Sequence, residues 1–177
     1  FEHVQRAGSI TMVFGMSLAA FTLLHVAISL IGIVSGLVVM SGLLSSDRRP
    51  GWTALFLITT ILTSVTGFGF PFTKLLPSHV VGIISLALLA VAVIALYVGR
   101  LSGAWRWIYV VTARTSLYLN IFVLVIQGLL KIGPLHALAP SNPPSGPPFA
   151  IVQGVVLVLF IAIVIGAVRK FRPLVMH

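Results

Sequence analysis

The chain has 177 residues, 59% hydrophobic and 7% charged, with a mean hydropathy of +1.17; soluble domains run near a quarter charged, so this is the composition of a polytopic membrane protein. Two acids, Glu2 and Asp47, stand against eight Arg and three Lys, which excludes paired-carboxylate glycosidases, aspartic proteases, di-iron bundles and carboxylate proton relays. The lack of Cys removes thiolate nucleophiles, iron–sulfur clusters and Cys-based zinc sites, and a net charge of +9 scattered between apolar runs is not the footprint of a nucleic-acid binder.

Residues 1–19 read as a flanking segment that lies at the membrane interface or extends the first helix, with Gly15 as a bending point. A signal peptide fits poorly, because the stretch carries a single Arg6 and the apolar sequence runs on past Ala20. A spanning helix needs about 20 apolar residues at about 1.5 Å each. Interruptions at 45–51, 72–78, 100–103 and 132–149 leave five such runs: 20–44, 52–71, 79–99, 105–131 and 150–168. Without water in the hydrocarbon each run must satisfy its own backbone, which makes them helices. The expected fold is an all-α membrane protein, a bundle of about five transmembrane helices over residues 20–172.

The first helix carries Thr22, His25, Ser29, Gly32 and Gly36 at steps of three and four, hence on one face. The second carries Thr59, Thr60, Thr63, Ser64, Thr66 and Gly67. Small residues and hydroxyls on facing helices predict close packing between the two. The third begins at His79. The fourth contains Arg114 with Tyr118 a turn beyond it, and separately Ser116, Asn120 and Gln127 as a polar stripe. No acid within the spans can pair with Arg114, so its head either snorkels to the headgroups or meets a carbonyl, an anion or a partner subunit. The faces of Arg114–Tyr118 and Asn120–Gln127 diverge by well over a quarter turn, so a single pore lined by both is not expected. The loop 132–149 holds His136 and six of the ten prolines, an extended spacer or a cap that docks on a neighbour.

Five spans put Arg48, Arg49, Arg100, Arg106, Arg169, Lys170 and Arg172 on one side and Arg6, Lys74 and Lys131 on the other. The positive-inside rule then gives an outer N-terminus and an inner C-terminus, with Trp52, Trp105 and Trp107 at the inner interface. Lys74-Leu-Leu-Pro77-Ser-His79 recurs as Lys131-Ile-Gly-Pro134-Leu-His136, 57 residues later. Together with the similar His25-to-Trp52 and His79-to-Trp105 spacings, this suggests a duplicated two-helix hairpin followed by a fifth helix. His25, His79 and His136 thereby share the outer face. Neutral imidazoles suit copper, zinc or a b-type haem without help from carboxylates. The structural alternative has His25 bonding a neighbouring helix and the other two standing among headgroups.

The stretches LHVAISLIGIVSG, GWTALFL, TSVTGFGFPF, GAWRWIYVVTA, LYLNIFVLVIQ and LHALAPS resemble a group of small polytopic bacterial inner-membrane proteins without an assigned activity. The likeness covers most of residues 23–172. It implies a bacterial cytoplasmic membrane and carries over no site residues. From the residues themselves the leading expectation is a non-enzymatic subunit or scaffold of a larger membrane assembly, in contact with lipid and with other membrane subunits. The alternatives are a metal or haem b protein built on His25, His79 and His136, and a small transporter.

Overall fold

The computed structural model describes residues 12–71 and 77–170. A short antiparallel hairpin, β1 Met12–Val13 and β2 Met16–Ser17, leads into α1 Leu18–Leu44 and α2 Pro50–Gly67. There follow α3 Pro77–Val93, prolonged by a π-helical turn over Ile94–Val98, then α4 Ala104–Lys131, the short α5 Gly133–His136 and α6 Pro147–Lys170. All but α5 are long and apolar enough to cross a bilayer. The chain is a multi-pass integral membrane protein with five candidate spans.

Helix starts follow local chemistry. At α1 the Ser17 hydroxyl accepts from the Ala20 N–H at 3.2 Å and so caps the first turn. Before it the chain reverses at Phe14 and Gly15, both at positive φ, so α1 does not extend back through 12–17 as one of the expected alternatives had it. Residues 1–11, with His3 and Arg6, lie outside the described residues, as do Lys74 and Arg172. Proline opens both α2 and α6, where the missing N–H costs nothing and φ is already helical. That is why α6 starts at Pro147 rather than at 150.

The bundle is held together by close backbone approach. A Cβ at Gly32 would lie 3.2 Å from Thr59 Oγ1 and 3.3 Å from Thr60 Oγ1. A Cβ at Gly36 would lie 2.6 Å from Leu117 and 2.9 Å from Phe56, so this glycine lets α1 meet α2 and α4 at once. Around that junction Val39, Leu43, Leu57, Leu89, Ala92, Val110 and Ala113 form the buried apolar core, with α4 touching α1, α2, α3 and α6.

The core occupies the end of the bundle marked by Trp52, Trp105 and Trp107, here called the tryptophan end. Loop 45–49 belongs to it and is tied to α6 by the Ser46 hydroxyl, which donates to the Lys170 carbonyl at 2.9 Å. Arg49 closes the last turns of α1: its Nη1 donates to the Val38 carbonyl at 3.1 Å and its Nε to Asp47 at 2.9 Å. The Arg49 hydrogen bond holds the Asp47 carboxyl below its ordinary range. The opposite end, where α1 and α3 begin, carries His25, His79 and His136.

Candidate functional site: a polar chamber at the histidine end

Four helices surround a cavity of about 140 Å³ at the histidine end. From α1 come His25, Val26, Ser29, Leu30 and Ile33; from α4 come Leu119, Asn120, Val123, Leu124 and Gln127. Thr63, Ser64 and Gly67 supply the α2 wall, and Ser78, Val81, Gly82 and Ser85 the α3 wall. The contact of Gly36 with Leu117 and Phe56 lies one turn deeper on α1 than Ile33. Val26, Leu30 and Leu124 line the chamber and are also exposed on the outside of the bundle, which marks a mouth between α1 and α4 that faces lipid.

The hydroxyls around the chamber fall into two sets. Ser29 donates to the His25 carbonyl at 2.7 Å and Ser64 to the Thr60 carbonyl at 3.0 Å, so their protons are spent within their own helices. Thr63 Oγ1, Ser85 Oγ and Asn120 Nδ2 are buried with no hydrogen-bond partner among the described residues. Unpaired polar atoms cost about 1–3 kcal/mol each when shut away from water, so three around one cavity are unfinished business.

His25 is the titratable member. Its Nδ1 lies 2.8 Å from Thr66 Oγ1, and its ring meets Phe70 edge-on. The Thr66 hydroxyl already gives its proton to the Leu62 carbonyl at 2.7 Å. In that arrangement Thr66 accepts from His25, the tautomer of a neutral imidazole with its proton on Nδ1 and a lone pair on Nε2.

The other expected site residues are dispersed. His79, 4% exposed, stacks on Phe68 at 5.5 Å and stands beside the chamber without lining it. His136 Nδ1 lies 3.1 Å from the Leu129 carbonyl, so its imidazole folds back on the end of α4. Among the described residues no three of His, Asp and Glu come together in a group able to hold a metal ion. The volume matches about one six-membered ring. A porphyrin does not fit it.

Arg114 is 2% exposed and donates from Nη2 to the Met40 carbonyl at 3.0 Å, while its Nε and Nη1 find no partner among the described residues. It does not snorkel, because the side chain turns under α1 instead of running to the headgroups. Tyr118 does not orient it either: that ring packs on Phe122 and on Phe160 of α6. Asn120 and Gln127, by contrast, share the chamber, whereas Ser116 donates to the Thr112 carbonyl.

Sequence reasoning assigned the α1 and α2 stripes to packing, His25 apart as a metal or haem candidate, and the structure divides them. Gly32, Gly36 and Thr59 pack, whereas His25, Ser29, Thr63 and Ser64 line the chamber. It also passed over Ser78 and Ser85, which with Gly82 fall on one helical face at spacings of four and three. No protein-family model, curated protein or solved structure matches the chain.

Proposed function

We propose that this integral membrane protein is a binding protein rather than an enzyme, and that its chamber holds a small, mostly apolar molecule in the outer half of a bacterial inner membrane. The observation that carries this reading is the coincidence of one chamber with three unpartnered buried polar atoms on residues that line it, Thr63, Ser85 and Asn120. Binding sites for small molecules are largely apolar cavities with a few polar groups that fix orientation. The orientation follows the basic residues, with the histidine end outside. Fusions of a reporter after Ser46, Leu75, Ser102 and Ser141 are expected to read in, out, in, out.

The binding itself is tested by releasing and identifying small molecules from protein extracted gently into nanodiscs, comparing wild type with Ser29→Leu and Val123→Trp. Both substitutions fill the chamber, and the Ser29 hydroxyl serves only its own helix. A lipophilic molecule present at stoichiometric level in the wild type and absent from both variants supports the reading. Identical extracts sink it.

A second reading, an accessory subunit of a larger membrane assembly, draws on α6. That helix contacts α4 and α1 only, and presents Ile151, Val155, Val158 and Ile165 outward, with nothing within 4 Å of a Cβ at Gly154. Small residues on an open helix face are where membrane helices approach one another. Native-gel migration after mild extraction decides it: a free monomer with no co-migrating protein rules the subunit out.

A further inference from the structure

The hydrogen-bonding state of His25 narrows what the chamber can take, and this step rests on the chamber being a ligand site. With Nδ1–H committed to Thr66, the imidazole offers one acceptor, Nε2, and His25 makes no other hydrogen bond among the described residues. No carboxylate lies in the described spans to favour an imidazolium there. Asn120 Nδ2, on the α4 wall, is a donor without an acceptor. A hydroxyl is the smallest group that can donate to the imidazole lone pair. Val26, Leu30, Ile33, Val81, Leu119, Val123 and Leu124 give the lining its aliphatic part, beside the hydroxyls and Gln127, and the volume is close to that of a cavity that holds a benzene ring. The mouth between α1 and α4 opens towards lipid, so the occupant arrives from the bilayer.

We propose that the chamber takes the ring-sized, hydroxyl-bearing head of a lipophilic molecule, of the phenol or quinol kind, whose O–H donates to His25 Nε2. Ketone or ether analogues lack that proton and leave the imidazole lone pair unpaired.

Three probes of nearly equal size separate this idea from the one beneath it: 4-methylphenol, 4-methylanisole and toluene. Each is titrated into the full chain in nanodiscs, with empty nanodiscs of the same lipid subtracted to remove partitioning. The phenol is expected to bind about tenfold more tightly than the anisole, the equivalent of one hydrogen bond. His25→Leu is expected to erase that preference while all three still bind. His25→Gln, which restores an acceptor near the position of Nε2, is expected to recover most of it and shows that loss in the leucine variant is not misfolding. Equal affinity for phenol and anisole in the wild type overturns the hydroxyl assignment but leaves the chamber as a site. A preference that survives His25→Leu overturns the role of His25. Failure of all three probes, toluene included, removes the binding reading itself.

Discussion

The two halves of the bundle bury polar atoms in different ways. At the tryptophan end Arg114 Nε and Nη1 are unpartnered inside a packed core of Leu, Val, Ala and Phe. At the histidine end Thr63, Ser85 and Asn120 are unpartnered beside an open chamber. An orphaned polar atom in a close-packed region is simply a cost, whereas one carried by a residue that lines a cavity belongs to a wall that an occupant can meet. The same deficit therefore has opposite meanings, and the glycine junction at Gly36 is the boundary between them.

Breaking that boundary should have the largest effect. Gly36→Leu places side-chain atoms where Leu117 and Phe56 already stand, and is expected to destabilise the bundle by about 3 kcal/mol, the upper end for overpacking. Thermal unfolding of the purified protein in detergent reads it directly. A midpoint equal to the wild type's would show that α1 is not pinned there.

Arg114→Leu tests the packed half from the other side. Replacing a buried, poorly paired charge with an apolar side chain of similar bulk is often neutral or stabilising by about 1–4 kcal/mol. The midpoint should hold or rise. A marked fall would reveal a counter-charge supplied from outside the described residues.

In the chamber half, Thr63→Val with Ser85→Ala removes two unpartnered hydroxyls. Stability should be unchanged or improved by up to about 1 kcal/mol, while affinity for 4-methylphenol falls. A double variant that loses stability would mean those hydroxyls support the fold and not a ligand.

The smallest effect belongs to loop 45–49. The Asp47 carboxyl is held below its ordinary 3.8 by the Arg49 hydrogen bond. A depressed acid contributes fully above its unfolded value and loses that contribution as pH falls through the folded one. Amide protection in residues 45–49, the intrinsic exchange rate at each pH divided by the observed one, should thus be flat from pH 7 to about pH 4 on the scale of ordinary carboxylates, and should fall only at lower pH; in Asp47→Asn that acid step is expected to disappear.

Much of the architecture could be read from composition because the bilayer leaves few choices. A run of about 20 apolar residues must be helical, and Pro50 and Pro147 mark two of the starts. The hairpin at 12–17 could not be read, since Met12, Val13, Phe14 and Met16 continue the same apolar run as α1 and only the backbone at Gly15 separates them. Asn120 and Gln127 announced themselves by polarity within a span. The hydroxyls did not, because a serine that packs and a serine that lines a cavity look alike in sequence. What distinguishes Ser85 from Ser64 is whether the proton reaches a carbonyl one turn back, and that is decided by geometry. For His79, position at the start of a helix gave no hint that Phe68 would cover it.

The lipid-facing gap at Val26, Leu30 and Leu124 changes what weak affinity means for this protein. Each methylene of a tail favours the bilayer over water by about 0.8 kcal/mol, so a tail of roughly ten carbons is enriched in the leaflet about a million-fold. A molecule entering sideways has already been gathered before it meets the imidazole, and His25 needs only to discriminate among what the leaflet holds. Occupancy then follows the membrane's content, and a dissociation constant referred to the aqueous phase would misstate the selectivity by that whole enrichment.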